Sequence, residues 1–266
     1  MRRALFGLFT YFEFFVLAFA FLVPLAVAAL ISKRGADRRL RGRWMRRFGR
    51  VTSALTPLWR FSVEGSRPAD IDAKGYVVVC NHQSTADPFL LSWLPWDMRW
   101  VAKEELFRTP PVGWLMRLSG DIPLRRGDGE SVAKMMAQCR ATLAAGMSVM
   151  LFPEGTRSPD GKLLPFKDGA FRLAIETGRP ILPLALHGTR SCRPKGSLWF
   201  GDADAVVRAL EPIPTAGLTL EDLPWLKEQV RERISVAADA LAARTRPRAS
   251  QRLSRLEPPA ASAGAS

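Results

Sequence analysis

YVVVCNHQSTADPFLL, residues 76–91, passes from an aliphatic run through a polar stretch to a second apolar segment opened by Pro88. The run 76–80 reads as a buried strand and 81–86 as a loop. Pro88 suits the first turn of a helix, where a missing N–H costs nothing. Strand, loop and helix in direct succession is the repeating unit of an α/β layer domain. Outward from it, apolar strands are expected at 61–64, 99–102, 121–124, 147–152, 181–187 and 205–210 as well as 76–80. Helices are expected at 87–94, 111–119, 129–145, 169–178 and 219–243, and no internal repeat is visible.

The chain has 266 residues, 47% of them hydrophobic, enough for one sizeable core and an appendage. Its formal charge of +14 invites a nucleic-acid reading until it is located along the chain. Residues 1–50 carry 11 Lys/Arg against 2 acids and residues 244–266 carry 5 Arg against 1, leaving 51–243 at +1. A nucleic-acid domain carries basic surface on its own fold, so no nucleic-acid partner is expected. Three scattered cysteines give neither a disulfide framework nor zinc spacing, and two histidines make no metal centre.

Phe14–Ile31 is 18 residues of uninterrupted apolar sequence, about 27 Å as a helix, close to the thickness of a bilayer core. A cleaved secretory signal is the alternative, with Arg2 and Arg3 as its basic start. Against it stand the length of the run and the nine Lys/Arg within the next twenty residues. The reading is an uncleaved anchor with its C-terminal side in the cytoplasm. Pro24 lies inside it, and both a spanning helix and a re-entrant hairpin fit. Leu40, Trp44, Phe48, Val51 and Leu55 then recur at helical spacing, with Arg38, Arg39, Arg41, Arg43, Arg46, Arg47 and Arg50 between them. That pattern is expected to lie on anionic headgroups, the alternative being a helix packed on the domain. Residues 1–59 are thus assigned to membrane anchoring, 60–243 to the domain, and 244–266, rich in Arg, Pro, Ala and Ser, to a disordered tail.

Two motifs carry chemistry. His82 precedes Asp87 by five positions, and a carboxylate accepting from Nδ1–H frees Nε2 to act as a base. Asp87 is also placed to cap the following helix through its second lone pairs. In FPEGTRSPDG, 152–161, Gly155 admits close backbone approach, Thr156 offers a hydroxyl and Arg157 a phosphate fork. Glu154 would repel phosphate, so it is expected to orient Arg157 or accept from a substrate hydroxyl. Lys103 and Arg126 each follow a strand and are expected on the same rim as His82, with Lys167 nearby. His187 reads as a packed strand-end residue. Ser84 lies near His82, but no nucleophile elbow surrounds it.

With both motifs in order, the chain resembles the glycerolipid acyltransferases, in particular the 1-acyl-sn-glycerol-3-phosphate acyltransferase family, over about residues 60–215. His82 and Asp87 match its HxxxxD pair, and Glu154, Gly155, Thr156 and Arg157 its EGTR acceptor-phosphate motif. GDIPLRR, 120–126, is similar to its second block; Arg126 matches, and Arg125 stands where the family carries Asp. ILPLAL, 181–186, resembles the fourth, which implies that Pro183 and its neighbours line the acyl site. Lys103 and Lys167 also match family positions. The resemblance implies a single α/β domain with a mixed central sheet flanked by helices. It implies transfer of an acyl chain from acyl-CoA or acyl carrier protein, as co-substrate, to the 2-hydroxyl of lysophosphatidic acid. His82 would be the base, Asp87 its orienting group, and Arg157, Thr156, Arg126 and Lys103 the phosphate holders. No cofactor or metal is expected, and membrane phospholipids are the expected surroundings. Glycerol 3-phosphate, another lysophospholipid or a lyso-aminolipid are alternative acceptors. A noncatalytic lipid-binding protein is the alternative of a different class, and an oriented base has no evident use in one.

Overall fold

The computed structural model describes residues 2–33, 39–193, 197 and 199–244. In chain order the helices are α1 (Arg2–Lys33), α2 (Leu40–Leu55), α3 (Ile71–Lys74), α4 (Asp87–Leu91), α5 (Glu104–Phe107), α6 (Val112–Ser119), α7 (Gly129–Ala144), α8 (Gly169–Thr177), α9 (Thr189–Cys192) and α10 (Leu223–Arg244). The strands are β1 (Trp59–Glu64), β2 (Val77–Cys80), β3 (Met98–Lys103), β4 (Ile122–Leu124), β5 (Ser148–Leu151), β6 (Ile181–His187) and β7 (Ala203–Ala209). They form one seven-stranded sheet in the order β1-β7-β6-β2-β5-β3-β4. Every pairing is parallel except β6 with β7, so the sheet is mixed, as the resemblance implied. All seven expected strands form. The expected helix 87–94 is shorter, ending at Leu91, and short helices at 71–74, 104–107 and 189–192 carry too few turns to leave a periodic signal. The tail expected beyond Arg244 lies outside the described residues.

Both sheet faces are covered, which explains why VVVC and SVML show no polar alternation. Val77, Val79, Val149 and Ile181 point toward Met135, Cys139 and Leu143 of α7, Phe171 of α8, and Leu226, Val230 and Ile234 of α10. Val78, Cys80, Met150, Leu182 and Leu184 point the other way, toward Ile71, Leu90, Leu91, Leu94 and Trp96. The strand period of two thus divides each run between two cores.

Among the described residues one helix is long and apolar enough to cross a membrane, over Gly7–Ser32, with mean hydropathy 2.8. It continues through Pro24. Phe14 meets Phe48 while Phe21 meets Trp44, so α1 and α2 run side by side in opposite directions. Ala18 and Leu25 are buried in this contact, and Phe12, Phe15, Val16, Phe19 and Val23 face outward.

The basic side of α2 departs from expectation. Arg39 donates to the carbonyls of Asp72 and Gly146, and Arg43 and Arg46 reach Asp97, the latter at 2.6 Å. Arg46 also donates to the Leu94 carbonyl. Arg47 and Arg50 lie over the rings of Trp44 and Trp93. Arg39 and Arg46 are thus committed to the domain, while Arg43, Arg47 and Arg50 remain exposed; Arg38 lies outside the described residues. The glycines of α2, which weaken helix propensity, mark the docking surface. A Cβ on Gly49 would sit 2.3 Å from Ser92 Oγ and 2.8 Å from its Cβ; one on Gly42 would meet Arg99 at 2.9 Å. Ser53 Oγ, accepting from Trp93 Nε1 at 2.9 Å, completes the contact with the end of α4.

At the other edge Asp121 ties β4 to β3. Its Oδ1 accepts from Trp100 N at 3.1 Å and its Oδ2 from Ser119 Oγ at 2.7 Å. Burial raises its carboxyl from the ordinary 3.8 to about 6 against these donors and Arg99.

Two outcomes are expected in detergent-solubilised protein. Gly49→Ala should lower stability by about 1–3 kcal/mol through overpacking, read as the denaturation midpoint, and Ser92→Gly should restore part of it. Asp121 favours the protonated fold, so its contribution is full below about pH 4 and is lost as pH rises through 6. Asp121→Asn should flatten the fall in stability across that window, by on the order of 3 kcal/mol.

Candidate active site

β2, β5, β3 and β4 are adjacent and parallel, so their carboxyl ends open on one rim. His82 follows β2, the 152–157 loop follows β5, Lys103 ends β3, and Arg126 follows β4. The crevice beyond strand carboxyl ends is where open α/β sheets bind ligands.

Asn81 sets the start of the site. Its side chain is buried and exchanges two hydrogen bonds with the main chain of Leu186, receiving from N at 2.8 Å and donating to O at 3.0 Å. An amide does here what a ladder residue would do, while the chain turns away from the sheet. His82 follows, with Nδ1 2.7 Å from Oδ2 of Asp87. The same Oδ2 accepts from Gln83 N at 2.8 Å and Ser84 N at 3.0 Å. The Asp87 side chain is wholly buried, whereas the imidazole stays 15% exposed. Contrary to the capping role the sequence also offered it, Asp87 does not cap α4: the N–H groups it holds lie upstream, and the loop folds around its carboxylate. The helix start offers no spare donors either, since Asp87 N reaches Ser84 O, and Phe89 N and Leu90 N reach Ala86 O. Ser84 Oγ is engaged by Ala86 N, which leaves it a loop-building residue.

The two motifs are joined through main chain. Glu154 Oε1 accepts from His82 N at 2.7 Å, and its Oε2 accepts from Leu164 N at 2.9 Å. His82 O in turn accepts from Ser158 N at 2.9 Å. Glu154 therefore neither orients Arg157 nor stands free for a substrate hydroxyl; it is a buried strut between three segments. Burial raises its carboxyl above the ordinary glutamate value, opposed by the two N–H donors and by His82. Phe152, which the sequence reading passed over, stacks on the imidazole with centroids 4.0 Å apart and planes 19° apart. With Asp87 at one edge and Phe152 on one face, the ring is fixed with Nε2 as its remaining polar atom.

Gly155 has φ +70, and a Cβ there would lie 2.8 Å from Lys167 Cε and 3.0 Å from its Nζ. Only glycine lets the Lys167 ammonium lie against this loop. Lys167 N also donates to Pro153 O at 2.9 Å. Thr156 is exposed and Arg157 half-buried, and among the described residues no acid pairs with Arg157. Arg126 is likewise exposed and without an acidic partner there, while Lys103 pairs with Glu105 at 3.2 Å. Arg125 points into a separate network, reaching Glu104 at 2.8 Å and Asp128 at 3.2 Å, so it braces β3 against β4. Pro183 is buried within β6 opposite Val79, and its carbonyl accepts from Leu210 N at 3.0 Å. The side on which it lacks an N–H faces the exit of β7, where the ladder ends, so the proline costs no hydrogen bond with β2. His187 closes β6, its imidazole disfavoured in the charged form by burial.

Residues 60–187 match the family model described as Acyltransferase. The chain is 36% identical over 157 residues to a chloroplastic 1-acyl-sn-glycerol-3-phosphate acyltransferase of Brassica napus, covering 58% of this chain and 46% of that one. It is 37% identical over 158 residues to the human 1-acyl-sn-glycerol-3-phosphate acyltransferase alpha, covering 59% and 56%. The chain thus spans about half the length of these curated relatives. The crystal structure of the 1-acyl-sn-glycerophosphate acyltransferase PlsC of Thermotoga maritima superposes with a TM-score of 0.73 at 28% identity, over 92% of this chain and 98% of that one. Through residues 60–187 and the fold that carries them, the chain is similar to the acyltransferases.

Proposed function

We propose that this protein transfers an acyl chain from a thioester, acyl-CoA or acyl carrier protein, to the 2-hydroxyl of 1-acyl-sn-glycerol 3-phosphate, giving phosphatidic acid. The observation that carries the reading is the His82–Asp87 contact of 2.7 Å, placed on the same rim as Arg157 and Lys167. Arg157 and Lys167, with Thr156 and the more distant Lys103 and Arg126, hold the acceptor phosphate. Held there, the acceptor hydroxyl reaches His82 in an effectively intramolecular step.

His82 Nε2 removes the hydroxyl proton as the oxygen bonds to the thioester carbonyl carbon. The tetrahedral intermediate collapses with loss of thiolate, which takes the proton back from the imidazolium. Asp87 fixes the tautomer and stabilises the imidazolium, and Phe152 fixes the ring plane. No protein nucleophile, cofactor or metal enters this sequence. Glu154 transmits the position of the phosphate loop to the base, because it holds the His82 N–H directly. Pro183, beside Val79 of β2, is given its acyl-site role by its match to the fourth block. The outward apolar side of α1 brings the site to a bilayer in which acceptor and product dissolve. The excess of Lys/Arg after the anchor assigns the domain to the cytoplasmic face.

Acyl transfer from palmitoyl-CoA to lysophosphatidic acid, measured in membranes carrying the protein, tests this. His82→Ala should lose on the order of 10²–10⁴-fold in rate. Arg157→Ala should raise KM for lysophosphatidic acid and lower kcat/KM by roughly 10–100-fold, with less effect on an acceptor lacking phosphate. Product made equally by His82→Ala and the parent would remove His82 as base. Glu154→Gln keeps the shape but turns an NH₂ toward one of two backbone donors. It is expected to cost about 1–3 kcal/mol in stability and to lower kcat, checked by denaturation and by rate.

A further inference from the structure

Asp87 is asymmetrically satisfied. Its Oδ2 receives three donors, while Oδ1 is buried with no hydrogen-bond partner among the described residues. A carboxylate oxygen shut away from water without a donor is costly, so a partner is to be sought nearby. The charged and titratable groups around Asp87 are His82, Glu154, Cys80 and Cys192, none of which supplies a strong donor to Oδ1.

One hydroxyl unpartnered among the described residues lies on α9, which packs against the neighbour of Asp87. Thr189 begins α9, is fully buried, and its Oγ1 also lacks a partner among the described residues. Cys192, three residues later and on the same side of that single turn, packs in one buried cluster with Ala86, the neighbour of Asp87. Its thiol is pushed up by burial first and then by the negative charge of Asp87, which places that charge close to the α9 face. Gly188, at φ +96, lets the chain leave β6 and turn this face inward, since a Cβ there would sit 2.1 Å from Asp204 O.

We propose that Thr189 is a positioning residue of the acyl-transfer site. Its hydroxyl donates to Asp87 Oδ1, through a rotation of the side chain or through one shared water, and so sets how strongly Asp87 holds His82. The proposal rests on the reading of His82 and Asp87 as the base and its orienting group. Removing the donor leaves more negative charge on the carboxylate facing the imidazole, which then keeps its proton to higher pH.

The test is the pH profile of kcat/KM for palmitoyl transfer to lysophosphatidic acid by the full-length membrane protein, in four forms. Thr189→Val, nearly isosteric, should move the acid-side half-activity point upward by about half a unit and lower kcat several-fold, with KM for the acceptor little changed. Thr189→Ser should restore both. Trp59→Phe removes an unpartnered buried donor of the cluster that holds Ala86 and Cys192 and should leave the acid side in place. An unmoved acid side in Thr189→Val would overturn the proposal, even with activity lowered, because a packing defect alone predicts that. A shift in Trp59→Phe without one in Thr189→Val would also overturn it and assign the donor to the indole. His82→Ala, run in parallel, separates the two levels: full activity there removes the base itself, whatever the Thr189 forms do.

Discussion

The charge of Asp87 is buried completely, and the site is built around the need to satisfy it. A carboxylate taken out of water must be met by donors, and the 82–84 stretch supplies an imidazole N–H and two backbone N–H groups to one oxygen. That requirement folds the loop back on itself, and the fold of the loop is what aims His82 outward. The same constraint recurs one layer further out. Glu154, also buried, is met by the N–H groups of His82 and Leu164, so two acidic side chains act here as centres around which main chain is wound.

This arrangement separates roles that the motif spelling runs together. In the 154–157 stretch the Glu faces inward and holds the His82 N–H, while Gly155 lies against Lys167, Thr156 is exposed and Arg157 half-buried. In the 120–126 block Arg125 is committed to Glu104 and Asp128, and Arg126 is left to the rim. Neighbouring letters of one motif thus divide between buried struts and accessible side chains, in the first case because the chain turns at 153–156, with Gly155 at φ +70.

Much of this was legible in the sequence. Apolar runs bounded by turn residues gave the seven strands, because burial on both faces leaves a signal that needs no partner to interpret. The rim residues were marked by their places just after apolar strands, and His82 with Asp87 by their spacing together with the 154–157 motif. What the sequence withheld were long-range choices. Nothing local says that Glu154 would reach His82, 72 positions away, rather than the adjacent Arg157. Arg39 and Arg46 looked free because Asp97 and the carbonyls that bind them are remote in sequence. Phe152 read as a strand residue, and only the juxtaposition of β2 and β5 makes it the face on which the imidazole rests.

The glycine contact of α2 has a bearing on how such proteins diversify. An anchor joined to its domain by a flexible tether could be exchanged between relatives as a cassette, with insertion depth and lipid preference changing independently of catalysis. Gly49 against Ser92, and Ser53 against Trp93, remove that freedom. The helix that accompanies the apolar segment is keyed to the very element that begins with Asp87. A chimera cut between α2 and β1 would therefore inherit mismatched keys, and one cut ahead of Leu40 would set a foreign helix against Trp44 and Phe48, where Phe21 and Phe14 pack. Membrane address and chemistry in this chain are selected together.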